Sequence, residues 1–269
     1  MAKSKLWGEF LERPNRFSLW VKVNGRRELV HLSNPGRLLG VLSPGRRILL
    51  RPAAGTHRKT RYTAVGADLE GMLVSLDSTL PNRFLPHALA SGLIPPLAGW
   101  TVAQREPPLG AGRADFLLRR GEERLWLEVK SVTWVKGGVA LFPDAPTARG
   151  SRHLEELAQV VAEGARAAVA FVVQRPDAHA FGPSPIDPQF HRTFRRALAM
   201  GVETFALVCS FDGERLHLKR VLGQEELVLP GSRIPDRASS GRMRSCDEPD
   251  QRGGEEKPGN AGIHQARHP

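Results

Sequence analysis

The strongest constraint on this chain is its punctuation. In the first third, glycine-bearing turns recur at intervals too short for helices. Asn24-Gly25 separates residues 16–23 from 26–32. That dipeptide is a strong hairpin signal, because both central positions of the tight turn need positive φ. Ser33-Asn34-Pro35-Gly36 and Ser43-Pro44-Gly45 turn the chain again on either side of a short apolar piece at 38–42. A third strand follows over 46–51, with Ile48, Leu49 and Leu50 at its centre, and Glu70-Gly71 joins 61–69 to 72–77. About five short strands with such turns predict a small β-barrel of the OB type over residues 1–80.

From residue 81 the spacing changes. Phe84, Leu85, Ala88 and Leu89 recur at helical intervals, and Gly92 with Pro95-Pro96 stops that helix, so 81–98 reads as a helical hinge. Strand-like runs come next at 100–106, 114–118, 125–132 and 139–142. A helix over 147–162 carries Leu154, Leu157, Val160 and Val161 on one face. Residues 167–174 read as one strand, apolar from 167 to 173 and ending on Gln174, as a central strand buried on both faces should be. A second helix at 187–200 opens on Asp187-Pro188, a cap followed by proline in the first turn. Strands at 204–210 and 215–221 flank Asp212-Gly213. The order predicts a second domain over 99–230, a mixed α/β sheet with helices on its faces, and hence an α+β chain overall. Residues 231–269 hold almost no apolar side chains and are expected to be disordered.

Charge is distributed unevenly over this plan. The formal net charge is +11, but residues 1–85 hold 15 Lys and Arg against 6 Asp and Glu, whereas 86–230 hold 17 against 16. A cationic field concentrated on one domain attracts phosphate polymers and displaces their counterions. A surface that is merely arginine-rich and solvated is the competing reading. The cations nominated for nucleic-acid contact are Arg16, Arg37, Arg46, Arg47, Lys59, Arg61, Arg83, Arg149 and Arg152, with Arg51 and Arg58 in the same turn-adjacent cluster. Their guanidinium forks suit phosphates. Tyr62, the single tyrosine, is a core residue or a base-stacking one. Aromatics make up only 6% of the chain, so a surface of many stacked aromatics is not expected. Lys3 and Lys5 are not followed by an apolar run, and no stretch approaches the ~18 apolar residues of a membrane span. The expectation is therefore no secretory signal and no membrane partner. Cys209 and Cys246 give neither a disulfide framework nor zinc spacing, so a reducing cytoplasm is the expected setting.

One constellation carries chemistry. Asp115 stands in Arg113-Ala114-Asp115-Phe116-Leu117, and Leu127-Glu128-Val129-Lys130-Ser131 follows across a charged turn at 119–124. Asp115 is expected on one strand of a hairpin, with Glu128 and Lys130 on its partner. Glu128 and Lys130 are two apart and share a face. Two carboxylates at the margin of a core invite a hard divalent cation that keeps several waters, Mg2+ or Mn2+, and the Val129 carbonyl could add a ligand. Such a cation activates water and stabilises phosphate charge, and Lys130 would neutralise the developing oxyanion. A cross-strand ion pair involving Lys130 is the structural alternative.

Around this site stand further candidates. Arg149 and Arg152, one turn apart, could grip a phosphate, or simply open a solvated helix. His153 is a hydrogen-bonding histidine or a general base. Asp144 is a turn residue or a metal neighbour, and Glu155 and Glu156 are expected on the surface. Gln174 ends a buried strand near the sheet face bearing the site. Arg192, Arg195 and Arg196 make a basic helix face.

These runs resemble the sugar fermentation stimulation protein A (SfsA) family. The resemblance rests on Arg113 to Leu117, Glu128 to Thr133, Phe142-Pro143-Asp144-Ala145, Arg149-Gly150 and His153-Leu154. Further support comes from Arg16-Phe17, His31, Asn34, Gly36-Arg37, Pro44-Gly45, Asn82-Arg83, Gly92-Leu93-Ile94 and Gly201-Val202-Glu203. It covers roughly residues 13–229, and Pro35 and Pro146 depart from it. The resemblance implies an OB-like domain followed by a PD-(D/E)XK nuclease-like domain, with Asp115 and Glu128 as metal ligands and Lys130 as the catalytic lysine. It also implies DNA binding and a link to sugar metabolism. The expected function is a metal-dependent nuclease with DNA as partner, RNA not excluded. The alternative is a non-catalytic DNA-binding regulator of sugar (maltose) metabolism genes.

Overall fold

The computed structural model describes residues 5–53 and 59–229. The segment expected to be disordered at 231–269, with Cys246, and also Arg58, lie outside the described residues.

The first domain is built from β1 (Leu6–Asn15), β2 (Ser18–Val23), β3 (Arg26–Leu32), β4 (Arg47–Pro52), β5 (Tyr62–Leu69) and β6 (Met72–Ser75). The strands run in the order β3-β2-β1-β4-β5-β6, and a short parallel pairing of β3 with β5 (His31 with Thr63, Leu32 with Ala64) closes the first five into a barrel. Closure removes the free edges that would otherwise invite pairing with another chain. Alternation sends Leu19, Val21, Val30, Leu32, Ile48 and Ala64 into the barrel core.

The barrel's five strands are not the five expected. The ten-residue β1 lies between β2 and β4 and replaces β6, which is a hairpin extension of β5. Register shifts between Phe10 and Glu12, and again before Asn15, break the two-residue alternation in β1 that marks a strand in sequence. Gly8 marks where β1 presses on β2, since a Cβ there would lie 2.4 Å from Val21 Cγ1. The apolar piece at 38–42 is a turn, with Leu38 at φ 57° and both Leu38 and Val41 buried as plugs.

The second domain starts with α1 (Leu80–Ala90) and continues through β7 (Thr101–Arg105), β8 (Pro108–Leu109), β9 (Gly112–Arg113), β10 (Phe116–Arg120), β11 (Glu123–Val132), β12 (Val135–Lys136) and β13 (Val139–Phe142). It is completed by α2 (Ala148–Ala162), β14 (Arg166–Val173), β15 (Ala180–Pro183), α3 (Pro188–Ala199), β16 (Glu203–Phe211) and β17 (Leu216–Leu222). Six strands form a mixed sheet in the order β17-β16-β14-β11-β10-β7, with β11, β14 and β16 mutually parallel. One face packs on α1 through Leu85, Leu127 and Leu207. The other packs on α2 and α3 through Leu154, Val169, Phe190 and Phe194.

The helix expected as a hinge is thus part of a core: Leu85 and Ala88 of α1 are almost wholly buried against the sheet. Burial of a leucine of this kind contributes about 2 kcal/mol, which a mobile connector would forgo. The amphipathic spacing was visible in the sequence, but the surface it covers was not.

Two details fix the helices that matter for the site. The Thr147 hydroxyl caps α2 by accepting from the Gly150 N–H at 3.0 Å. Asp187 caps α3 through Oδ1, which accepts from Phe190 N–H at 2.9 Å, while its Oδ2 accepts from Thr147 N–H at 2.8 Å. One carboxylate therefore ties together the starts of both helices.

The barrel and the mixed sheet meet along a bonded seam. Asp144, just before α2, accepts from Leu38 N–H of the barrel's turn at 2.7 Å. Gly36 lies so close that a Cβ there would sit 2.9 Å from an Asp144 carboxylate oxygen. Elsewhere on the seam, Lys5 Nζ donates to the Asp212 carbonyl at 2.9 Å. Among the described residues, no helix is long and apolar enough to cross a membrane.

Candidate functional site

The site lies where β10 and β11 part. Their antiparallel ladder begins at the pair Phe116–Leu127. Asp115 stands one residue before β10, in a bend rather than on the strand as expected. Beyond Leu127 the edge of β11 is released from β10, and the Asp115 carboxylate takes over, its Oδ2 accepting from Val129 N–H at 2.7 Å. A strand residue sends its N–H and C=O to the same edge, so the Val129 carbonyl opens on the side where Asp115 lies. Asn82 of α1 donates from Nδ2 to Asp115 Oδ1 at 2.6 Å. Burial, and after it the charge of Glu128, disfavour the ionised form of Asp115. They outweigh the Val129 N–H, Lys130 and Asn82 and lift its pKa to about 6.

Glu128 is only 3% exposed. Its Oε1 accepts from Lys130 Nζ at 2.6 Å and lies 2.5 Å from His153 Nδ1 of α2. Burial opposes its charge, but the hydrogen bond from His153 and the charge and hydrogen bond of Lys130 outweigh it, and the pKa falls below the ordinary value. Glu128 Oε2 is buried without a hydrogen-bond partner among the described residues. A buried carboxylate oxygen left without a partner is costly, and a cation would relieve that cost. Among the described residues no group of three or more His, Cys, Asp and Glu side chains is arranged to hold a metal. What this corner offers is two carboxylates and one main-chain carbonyl. That donor set fits a hard ion such as Mg2+, which is held by one or two carboxylates and keeps its remaining waters.

The secondary candidates fall into different places. His153 is buried and bonded to Glu128, and Arg149 donates to its other ring nitrogen at 3.3 Å. Arg152 does not join Arg149 in a phosphate grip but leans on Glu156 at 3.7 Å. Glu156 is not a free surface group either: it accepts from Ala111 N–H at 3.2 Å and supports the β8–β9 hairpin. Glu155 is exposed. Asp144 binds the barrel's turn, a role across the domain seam that local turn reasoning did not reveal. Gln174 is fully buried, and its Nε2 donates to Ser131 Oγ at 2.8 Å. Ser131 lies on the opposite face of β11 from Glu128 by strand alternation, so Gln174 is not on the site's face. Arg192, Arg195 and Arg196 are exposed along α3.

Of the nominated barrel cations, several are already engaged. Arg46 donates to the Asp68 carbonyl, and Arg47 pairs with the Asp68 carboxylate at 3.4 Å while lying over Trp7. Arg61 faces Glu28 at 3.6 Å, and Arg83 binds Asp77 at 2.6 Å and Thr79 at 2.7 Å. Arg16, Arg37 and Lys59 are exposed and make no side-chain hydrogen bond or ion pair among the described residues. Tyr62 is half-buried against the barrel core, with Arg61 over its ring. Cys209 is a free, buried thiol, and burial pushes its pKa up to about 12.

Two site residues were not nominated from sequence. Asn82 lies 33 residues before its partner Asp115, and the resemblance at Asn82-Arg83 marked it without giving it a role. Arg13 was likewise passed over. Its guanidinium donates to the carbonyls of Arg16 and Asn34 at 2.8 Å and of Gly36 at 2.5 Å.

Comparison with known proteins bears on the two domains. The family described as the SfsA N-terminal OB domain matches residues 11–76, and the sugar fermentation stimulation protein RE domain matches residues 79–215. A sugar fermentation stimulation protein homolog from Moorella thermoacetica is 46% identical over 206 residues, covering 76% of this chain and 89% of that protein. A homolog from Chloroflexus aurantiacus is 44% identical over 221 residues, covering 82% and 84%. The structure of Pyrococcus furiosus SfsA in complex with Ca2+ superposes with a TM-score of 0.76 at 31% identity, covering 82% of this chain and 96% of that one. With both domain matches in chain order and relatives above 40% identity, the chain belongs to the sugar fermentation stimulation protein (SfsA) family.

Proposed function

We propose that this chain binds DNA and hydrolyses its phosphodiesters with the help of a divalent cation. The observation that carries the reading is the buried Oε2 of Glu128, without a hydrogen-bond partner among the described residues, on a carboxylate whose charge reaches Asp115. The Ca2+ in the Pyrococcus furiosus relative supports a divalent ion in this family. Here Asp115, Glu128 and the Val129 carbonyl would hold Mg2+ or Mn2+. Such an ion lowers the pKa of bound water and screens phosphate charge. The protein's own groups do the rest. Asn82 and the Val129 N–H fix the Asp115 carboxylate, and His153 fixes Glu128. Lys130 brings an ammonium to the same corner, where it neutralises charge developing on the phosphate. Arg16, Arg37 and Lys59, free in solvent, would hold the backbone without reading sequence. A free buried thiol and DNA as partner fit a cytoplasmic setting.

A non-catalytic DNA-binding regulator of sugar (maltose) metabolism genes is the second reading. It is favoured by the Lys130–Glu128 pair, in which the ammonium is already matched to a carboxylate. Labelled single-stranded, duplex and branched DNA and RNA, incubated with Mg2+ or Mn2+ and with a chelator as control, separate the two. The expected result is cleavage by the wild type and a loss of about 100-fold or more in Glu128→Gln and Lys130→Ala, as for removal of one group that stabilises the transition state. Binding in these variants should change by less than about threefold, corresponding to well under 1 kcal/mol. Absence of cleavage on every substrate sinks the nuclease reading and leaves the regulator.

A further inference from the structure

Phe17 is 54% exposed, the only exposed aromatic side chain among the described residues. It sits at the tip between β1 and β2, next to Arg16, and the tip is held rigidly. Phe17 N–H donates to Asn15 Oδ1 at 2.9 Å, and its carbonyl accepts from Leu32 N–H at 2.8 Å. Arg13 then staples this tip to the neighbouring turn, donating to the carbonyls of Arg16, Asn34 and Gly36. Arg37 follows Gly36 directly, so the staple brings a second unpaired guanidinium to the same corner. The underside of that turn is bound by Asp144, which precedes the helix carrying Arg149 and His153 to Glu128.

A large apolar ring held out in water, beside Arg16 in sequence and on a tip stapled to the turn that carries Arg37, has no partner within the described chain. Hydrophobic burial alone would draw it inward, and a merely solvated loop would not need this set of hydrogen bonds to fix it. An unpaired nucleobase meets all of its features. Its π-face stacks on a phenyl ring, and its flanking phosphates meet the guanidinium groups. A rigid tip adds affinity because little conformational freedom remains to be given up on binding. We propose that Phe17, with Arg16 and Arg37, forms a stacking platform for an unpaired base, so that the chain grips single-stranded DNA or an unpaired stretch at the corner of the barrel facing the domain seam. This inference rests on the nucleic-acid reading above and specifies the form of the nucleic acid.

The test is a cycle of Phe17 against the base. Binding of labelled oligothymidylate and of a strand of equal length made of abasic units is followed by fluorescence anisotropy for the wild type, Phe17→Ala and Phe17→Trp. Phe17→Ala should weaken binding of the base-bearing strand by roughly five- to 150-fold, the range for removal of one stacking ring. It should leave binding of the abasic strand within about twofold, and Phe17→Trp should restore the affinity, since indole stacks at least as well. Thermal unfolding of each variant verifies that the barrel is intact. Equal weakening on base-bearing and abasic strands overturns the platform, because Phe17 would then act through the fold. Unchanged affinity in Phe17→Ala overturns it too, while leaving nucleic-acid binding in place. No binding by the wild type to any strand at low salt overturns the nucleic-acid reading itself.

Discussion

In the barrel, Arg16, Arg37 and Lys59 stand in solvent without side-chain partners among the described residues, whereas in the mixed sheet Glu128, Lys130 and His153 are folded away in a chain of bonded groups. The two domains also differ in balance, since the first 85 residues carry nearly all of the net positive charge. The difference separates two uses of charge. Exposed charge acts at a distance, is screened by salt and tolerates loose geometry. Buried charge acts only at close range, resists screening and must be placed by the fold. The first suits capture of a polyanion and the second suits chemistry on it.

That division can be broken by experiment, most forcefully on the barrel side. Replacing Arg16, Arg37 and Lys59 together by Glu should weaken DNA binding by an order of magnitude or more. On duplex it should also flatten the dependence of log K on log salt, by about 0.9 for each phosphate that is no longer neutralised. Cleavage at saturating DNA should be much less affected. A salt slope identical to that of the wild type would mean that the capture surface lies elsewhere.

The seam offers an intermediate effect. Asp144→Ala removes the acceptor of Leu38 N–H and leaves that donor at a partly buried position. The expected cost is about 1–3 kcal/mol, read as a lower urea midpoint. Cleavage should fall more than binding, because the barrel turn and the start of α2 lose their mutual reference. Should stability and cleavage both stay at wild-type levels, the two domains work independently and the contrast between them is only one of composition.

The smallest effect sharpens the buried side. Asp115 ionises near pH 6 in the fold, against about 3.8 in an unfolded chain. Folding therefore favours its protonated form, so its contribution is most stabilising below the unfolded pKa and is lost as pH rises through the folded one. With divalent ions chelated, stability should drop by about 1–2 kcal/mol between pH 5 and pH 7.5. Asp115→Asn, which cannot ionise, should lack this part of the dependence, and urea titrations at the two pH values measure it. A wild type whose pH dependence matches that of Asp115→Asn would show Asp115 to be solvated rather than held at the edge of a core.

The sequence made these regions legible to different depths. That Asp115 comes close to the middle of β11 could be read because a tight turn at Gly121 sets the hairpin register from Arg120–Glu123 down to Phe116–Leu127. Local chain geometry carried the whole inference. Which barrel arginines remain free could not be read. Arg47 meets Asp68 only because β4 and β5 pair with Ile48 opposite Ala67, and that register is set by residues distant in sequence. β1 is hidden because bulges scramble its alternation, and the core role of α1 is hidden because an amphipathic face does not say what it covers. Asn82, Arg13 and Asp144 share one property: each binds a main-chain or carboxylate group contributed by a segment that is not its neighbour in sequence.

Asp187 touches none of the groups assigned to chemistry, yet it holds the Thr147 amide and the first turn of α3 with the same carboxylate. Because α2 leads from Thr147 to His153, the aim of the imidazole at Glu128 is inherited from a residue on another helix. A lesion at Asp187 would let α2 slide or rotate while the rest of the domain stays assembled. In a screen for impaired turnover it would then score beside the proposed ligands Asp115 and Glu128, though it bonds to neither.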